Sequence, residues 1–418
     1  MNKPNDLSFA YLDLYERFVV EASFLWLLRS MVVDRPHYTL SDIHALEGRI
    51  QAQLDGLKTS MGMAWPLCEK AIELNGPGEV FTATILAFRS ADPIKIQKVV
   101  EAGLATPECT KALVSAMAWL PRTDSQPWIQ NALASKDTHL NYIAICLYSL
   151  RRENPGDVLA KYLLRDEFRQ DEILHARCLR LLGEIKRRDQ RSALSRAVKS
   201  KNESVAFWAN WSAALLGDKK AVHQLEPHLF KTSAYQERAL QVAFRVVPVS
   251  QARQWIAQLA ADPQHARAAI KAAGISGDPY AVDGLIEKMK DQTHARLAGE
   301  AFTLITGIDL EQDRLNSAAP PNTVPMPNDD AHDPTVAMDE DEYLAWPNAA
   351  LVAARWQKTV GQLTKGQRYL LGKEINTSHL LEHLQTAFQR QRHAAAMELA
   401  LLDTSHVLTN TRSKVSQA

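Results

Sequence analysis

Asp278-Pro-Tyr-Ala-Val-Asp-Gly-Leu-Ile-Glu-Lys-Met-Lys-Asp-Gln-Thr-His-Ala-Arg-Leu-Ala-Gly-Glu-Ala-Phe-Thr-Leu-Ile-Thr-Gly307 is the stretch whose reading decides the fold. The carboxylate of Asp278 suits a helix N-cap, because it accepts from a backbone N–H that has no intrahelical partner, and Pro279 suits the first turn. Val282, Leu285, Ile286 and Met289 then share one face of a helix. After the Asp-Gln-Thr turn a second helix carries Ala295, Ala298, Ala301, Phe302 and Ile305, and Gly307 stops it. A pair this small cannot bury its own apolar face. It needs neighbours of the same kind.

The same start signal recurs at Asp218, Asp189, Asp157, Asp124 and Asp92, with spacings of 60, 29, 32, 33 and 32 residues counted back from Asp278. The interval of 60 holds two units, the middle one starting near Pro248-Val249-Ser250. A period of about thirty residues per helix–turn–helix predicts an all-α fold, a right-handed α-solenoid of about seven helix pairs. The repeat resembles the HEAT-like superfamily.

Working outward, residues 1–60 read as an N-terminal helical cap, 61–308 as the repeat array, 309–346 as an insert and 347–418 as a C-terminal helical cap. The helix over 8–31 is apolar nearly all round, so burial on every side is expected, and Arg35-Pro36-His37-Tyr38 ends it. Thr39 or Ser41 caps the next helix, through Ile43, Leu46, Ile50 and Leu54. In the array, Gly76-Pro77-Gly78 introduces Glu79 to Phe88. Inner-type helices follow at Ala112 to Leu120, Tyr142 to Leu150, Ile173 to Ile185, Val205 to Leu216 and Ala239 to Val247. Trp119, Trp208 and Trp211 lie in these helices, where core packing is favoured over a ligand cage. The insert carries Pro320, Pro321, Pro325, Pro327 and Pro334 with few apolar residues, which predicts a mobile segment. Beyond it, helices are expected at Ala349 to Val360 and Ser378 to Leu402, with a frayed tail from Ser405.

Composition narrows the function classes. The 418 residues include 48 Lys plus Arg and 48 Asp plus Glu, a formal net charge of zero, which argues against a general polyanion binder. Met1 to Asp6 lacks a signal-peptide pattern and no apolar run is long enough to span a membrane, so a cytoplasmic protein is expected. The four cysteines, Cys68, Cys109, Cys146 and Cys178, show no CxxC pair and read as small core residues of a reducing compartment.

Several segments resemble one bacterial family of HEAT-like repeat proteins. They are Glu21-Ala-Ser-Phe-Leu-Trp-Leu-Leu-Arg29, Pro36-His37-Tyr38, Arg49-Ile-Gln-Ala-Gln-Leu-Asp-Gly-Leu57, Glu300-Ala-Phe-Thr-Leu-Ile-Thr-Gly-Ile-Asp-Leu310, Trp346-Pro347, Arg368-Tyr-Leu-Leu-Gly372, Gln389-Arg-Gln-Arg392 and Glu398-Leu-Ala-Leu401. Members of that family occur near type VI secretion genes, beside spike proteins, PAAR-type tips and toxic effectors. The resemblance implies a non-catalytic cytoplasmic adaptor or chaperone that helps load an effector onto the spike, with no cofactor and no catalytic signature.

Three constellations carry possible chemistry. His379-Leu-Leu-Glu382-His383 matches the inverted zinc-protease pattern, with Glu398 or Asp403 the remaining acidic ligand candidates. The competing reading is an amphipathic helix with Leu380, Leu381, Leu384 and Phe388 on its core face, and no metal is expected. Lys186, Arg187, Arg188, Arg191, Arg196, Lys199 and Lys201 form a basic stretch, the feature a HEAT-fold enzyme of the DNA-glycosylase type would use. A solvated face explains it better, with Asp189 as an N-cap. A bilin-lyase-like enzyme and a general assembly scaffold are rival functions for the same fold. The third constellation is Asp339, Glu340, Asp341, Glu342, Tyr343 and Trp346, the candidate partner-binding residues, in which charge steers encounter and the aromatics anchor. Against this stands a loop kept soluble by its acids, with Trp346 pinning it to the chain, and both readings remain open.

Overall fold

The computed structural model describes residues 6–321, 323 and 338–415, with side chains from Tyr11 onward. Its 278–307 stretch begins as a short 3-10 turn, Pro279–Ala281, that runs into the α-helix Val282–Lys288. The Asp278 side chain accepts from the Tyr280 N–H at 3.1 Å. The second helix, Ala295–Thr306, ends at Gly307 in the left-handed region with φ 71°. Val282, Leu285, Ile286, Met289, Ala298, Phe302 and Ile305 are buried in one cluster, which Val352 and Trp356 complete. Asp278 does more than cap. It is 2% exposed, and it also accepts from Arg253 Nε at 2.7 Å and the Gly366 N–H at 2.8 Å.

The protein is all-α, and the one sheet among the described residues is a hairpin of Tyr369–Leu370 with Lys373–Glu374. The chain divides into two compact units, one made of Met1–Ala209 with Val407–Ala418, the other of Asn210–His406. In the first unit Pro77–Ser90, Pro107–Trp119, Thr138–Arg151 and Glu172–Glu184 pack in succession, each against the next. Pro93–Gly103, Arg122–Ala134 and Asp157–Leu164 pack beside them as a second layer. The N-terminal helices Asp6–Val32 and Leu40–Lys58 pack on Pro77–Ser90, with Trp26 stacked on Phe81 at 4.8 Å. Gly78 permits this approach, since a Cβ there would meet the Ser23 carbonyl at 2.6 Å.

In the second unit Gln236–Val246, Ala266–Ser276 and Ala295–Thr306 pack in succession, with Val249–Ala261 and Val282–Lys288 beside them. Ala349–Gln357 extends this layer by packing on Val282–Lys288. The hairpin covers helix C-termini, whose last carbonyls have no partner within the helix. The Tyr369 N–H donates to Gly277 at 2.8 Å, the Leu371 N–H to Leu304 at 2.7 Å and the Gly372 N–H to Ile305 at 3.1 Å.

Several expectations are corrected. Asp92 and Asp218 are N-caps, but Asp124 and Asp157 lie inside the first turns of their helices. An acid there still favours the helix start through the macrodipole. Asp189 sits in the 3-10 turn Arg188–Gln190, and its carboxylate accepts from Arg187 Nε and Nη2, both at 2.8 Å, instead of capping a helix. On the first helix Val20 and Phe24 are 61% and 62% exposed, because its neighbours cover only one side. The expected helix from Ser378 to Leu402 is two, Thr377–Thr386 and Gln389–Leu402, broken by extended backbone at Ala387 and Phe388. The Phe388 N–H donates to Gln391 Oε1 at 3.3 Å, a fresh N-terminal cap, and the two helices bury Leu380, Leu384, Ala395 and Leu399 between them.

The tail is not frayed where it is described. Leu408 donates its N–H to the Glu184 carbonyl at 3.0 Å and Val415 donates its own to Glu47 Oε2 at 2.9 Å. Of the insert, Pro325, Pro327 and Pro334 lie outside the described residues. Its described flanks are tied together by Ser317 N–H to the Trp346 carbonyl and Asn348 N–H to the Leu315 carbonyl, both at 2.8 Å. All four cysteines are free thiols, three of them buried, and burial pushes Cys68 up to about 12. No helix among the described residues is long and apolar enough to cross a membrane.

Candidate functional site

The acidic segment lies on the second unit, against the N-terminal turns of three helices. Arg267 is the second residue of Ala266–Ser276, Arg296 the second of Ala295–Thr306 and Arg390 the second of Gln389–Leu402. A guanidinium near a helix N-terminus opposes the macrodipole unless an anion lies beside it. Asp341 and Asp339 supply that anion for Arg267 and Arg296, and Glu300 supplies it for Arg390. Asp341 receives Arg267 at both oxygens, 2.7 and 2.9 Å, the paired-donor geometry that makes such contacts strong. Asp339 accepts from Arg296 at 2.7 Å and from the Asp341 N–H at 2.9 Å. Arg296 also donates to the Asp341 carbonyl at 2.8 Å, and Arg390 to the Glu340 carbonyl at 2.7 Å.

The electrostatics follow from this geometry. The hydrogen bonds to Asp341 hold Arg267 firmly in its charged form. Burial by itself would raise Asp339, but the Asp341 N–H and Arg296 outweigh it and bring the carboxyl below its usual range. Glu300, beneath the segment, is raised: burial dominates, and its pair with Arg390 at 3.0 Å offsets it only in part.

The six candidate residues therefore separate. Asp339 and Asp341 are consumed in holding the segment to its own chain. Trp346 is partly buried under the Arg296 guanidinium, 4.6 Å from its ring centre, and pins the end of the segment. Glu340 lies at the rim, its side chain 69% exposed and 3.1 Å from Arg267. Glu342 is exposed and Tyr343 is 50% exposed, so these three side chains are the ones presented outward. The arginines beneath were missed in the sequence, although a signal exists. Arg238, Arg267 and Arg296 recur at intervals of 29 residues, the last two each at the second position of its helix.

The other constellations are drawn into structural roles. The ring of His379 is within hydrogen-bond distance of Asn376 and of the Glu374 carbonyl, and Glu382 pairs with Lys373 at 2.8 Å. His383 is buried, and burial favours its neutral form. Glu398 is enclosed between Arg245, at 3.1 Å, and Arg368. Among the described residues no group of three His, Cys, Asp or Glu is placed to hold a metal ion. In the basic stretch, Arg187 is committed to Asp189 and Asn154. Trp119 and Trp208 are buried, yet each carries a cation on its ring: Lys414 at 4.6 Å and Arg180 at 4.4 Å. No protein-family model and no curated protein matches this chain.

Proposed function

We propose that the chain is a right-handed α-solenoid of about seven HEAT-like helix pairs that binds a protein partner and catalyses no reaction. In this reading it is a cytoplasmic adaptor that holds a type VI secretion effector, or a component of the spike, ready for delivery. One observation carries it: Glu340, Glu342 and Tyr343 are presented outward from a segment held in place by half-buried contacts from Arg267 and Arg296, by Arg390 at the rim and by Arg296 over the Trp346 ring. A pre-ordered acidic and aromatic surface gains affinity because little conformational freedom remains to be lost on binding. The sequence resemblance supports the identity of the partner.

The test is affinity capture of the tagged full chain from its own host, with mass spectrometry of what co-purifies. The comparison is Glu340→Lys, Glu342→Lys and Tyr343→Ala combined, which leaves Asp339 and Asp341 to hold the segment. A spike or effector component is expected with the parent chain, and at least a tenfold loss with the variant. Recovery of nucleic acid, or of the same proteins at the same yield from the variant, defeats the proposal.

A further inference from the structure

The first unit holds a cleft of about 580 Å³, within the ~300–1,000 Å³ of small-ligand sites. Its walls come from the start of Arg122–Ala134, the end of Thr138–Arg151 and the turn that follows. The lining side chains include three guanidinium groups, Arg122, Arg151 and Arg152, against one carboxylate, Glu153. Two of the arginines have acidic partners. Arg122 pairs with Glu153 at 2.6 Å, and Arg152 lies 3.4 Å from Glu184. Glu184 is shared with Arg177 and Arg180, so it does not match Arg152 charge for charge.

Arg151 differs from both. Its Nη2 donates to the Met117 carbonyl at 2.6 Å, the Leu120 carbonyl at 3.2 Å and the Ser125 hydroxyl at 3.1 Å, all neutral acceptors. Among the described residues it makes no ion pair, and its Nε and Nη1 have no acceptor. The three bonds hold the guanidinium in place while two of its nitrogens stay free to donate. Burial pulls its pKa down, Arg122 adds to the effect and Glu153 opposes it. An arginine stays charged all the same, so an anion beside it relieves both penalties. Two neutral donors share the cleft. Tyr148 and Gln126 are half-buried, and among the described residues neither its hydroxyl nor its side-chain amide has a hydrogen-bond partner.

The excess of positive charge suits a dianion, and none of the lining side chains is aliphatic, which suits a polar body. We infer that this cleft binds a small phosphate monoester, with the phosphate on Arg151 and Arg122 and a hydroxyl-bearing body against Gln126 and Tyr148. The site lies wholly within the first unit and does not rest on the acidic segment.

The probe is ribose 5-phosphate, titrated calorimetrically against the full chain at about 0.15 M ionic strength, with ribose and inorganic phosphate for comparison. It should bind with a Kd of about 1 mM or tighter. Inorganic phosphate should bind at least threefold more weakly, and ribose not at all. Two variants should move the affinity in opposite directions, which a merely structural role would not do. Glu153→Gln removes the carboxylate of the cleft and releases Arg122, so binding should tighten at least threefold. Arg122→Gln leaves Glu153 facing the anion, so binding should weaken at least tenfold. Arg151→Met should abolish binding, but Arg151 also holds two carbonyls. Tyr148→Phe therefore tests the cleft without disturbing its walls: a threefold loss of affinity is expected, with the thermal midpoint of the free chain unchanged. Absence of binding overturns the inference, as does an affinity that Glu153→Gln and Arg122→Gln both leave unchanged. Tighter binding of inorganic phosphate or of a phosphoserine peptide overturns it too, by assigning the cleft to the free ion or to a phosphorylated protein.

Discussion

Glu184→Ala is expected to lower the unfolding free energy of the protein by about 3–5 kcal/mol, the range for removing one partner of a buried ion pair. Glu184 is 0% exposed and closes the helix Glu172–Glu184. Its Oε1 receives Arg180 Nε at 2.9 Å. Its Oε2 receives the Ser149 hydroxyl at 2.6 Å, Arg177, and the Arg152 guanidinium at 3.4 Å. Without the carboxylate, three guanidinium groups remain around one enclosed volume, and the two most buried have no counter-charge there. Glu184→Gln tests charge apart from volume. It keeps an acceptor, so a smaller loss is expected, while the like charges still repel. Urea denaturation followed by circular dichroism measures both, and a loss under about 1 kcal/mol for Glu184→Ala would show that the cluster reorganises or admits water.

The same residue sets a pH dependence. Burial alone would raise its carboxyl, but Arg177, Arg152 and Arg180 together hold it far below the ordinary carboxylate range. A depressed folded-state value means that the contribution is complete above the unfolded value of about 4.3 and is lost as pH falls toward the folded one. The parent chain should therefore lose stability progressively below about pH 4. Glu184→Gln should show a shallower slope over that range, and identical slopes would remove Glu184 as the source.

Gly277→Ala is the second large effect, expected to cost at least about 2 kcal/mol. Gly277 closes Ala266–Ser276 at φ 69°, where an L side chain is strained by about 1–2 kcal/mol. A Cβ there would also lie 2.2 Å from the Tyr369 carbonyl oxygen, so the hairpin must move and its hydrogen bond to the Gly277 carbonyl is disturbed. Gly284→Ala is the control. Gly284 lies within Val282–Lys288 with nothing within 4 Å of the added methyl, so a gain of about 0.5–1 kcal/mol is expected. A shift in thermal midpoint of the same sign for both variants would contradict this account.

Local features were legible because they depend on residues a few positions apart. Asp278 as a cap, Gly307 as a left-handed stop and the apolar face from Val282 to Met289 follow from hydrogen-bond supply, steric freedom and helical period. The break at Ala387 carried a weaker signal, a Gln three residues after Phe388, inside a pattern that reads as one continuous helix. In the candidate site the acids and aromatics were visible as a cluster, but the split between inward Asp339 and Asp341 and outward Glu340, Glu342 and Tyr343 was not. That split depends on where Arg267, Arg296 and Arg390 fall, between 43 and 74 residues away for the first two.

By itself the sequence determined that this is a helical protein with zero formal net charge and a Pro-rich, acidic interruption before its last helices. Only the tertiary structure decided which charges are buried and what residues 407–415 contact. Glu184 meets Ser149 across 35 positions, and Arg152 meets the Leu408 carbonyl across 256. Such pairings are set by the stacking of whole helices. A carboxylate at the end of a helix looks the same in sequence whether water or three arginines will surround it.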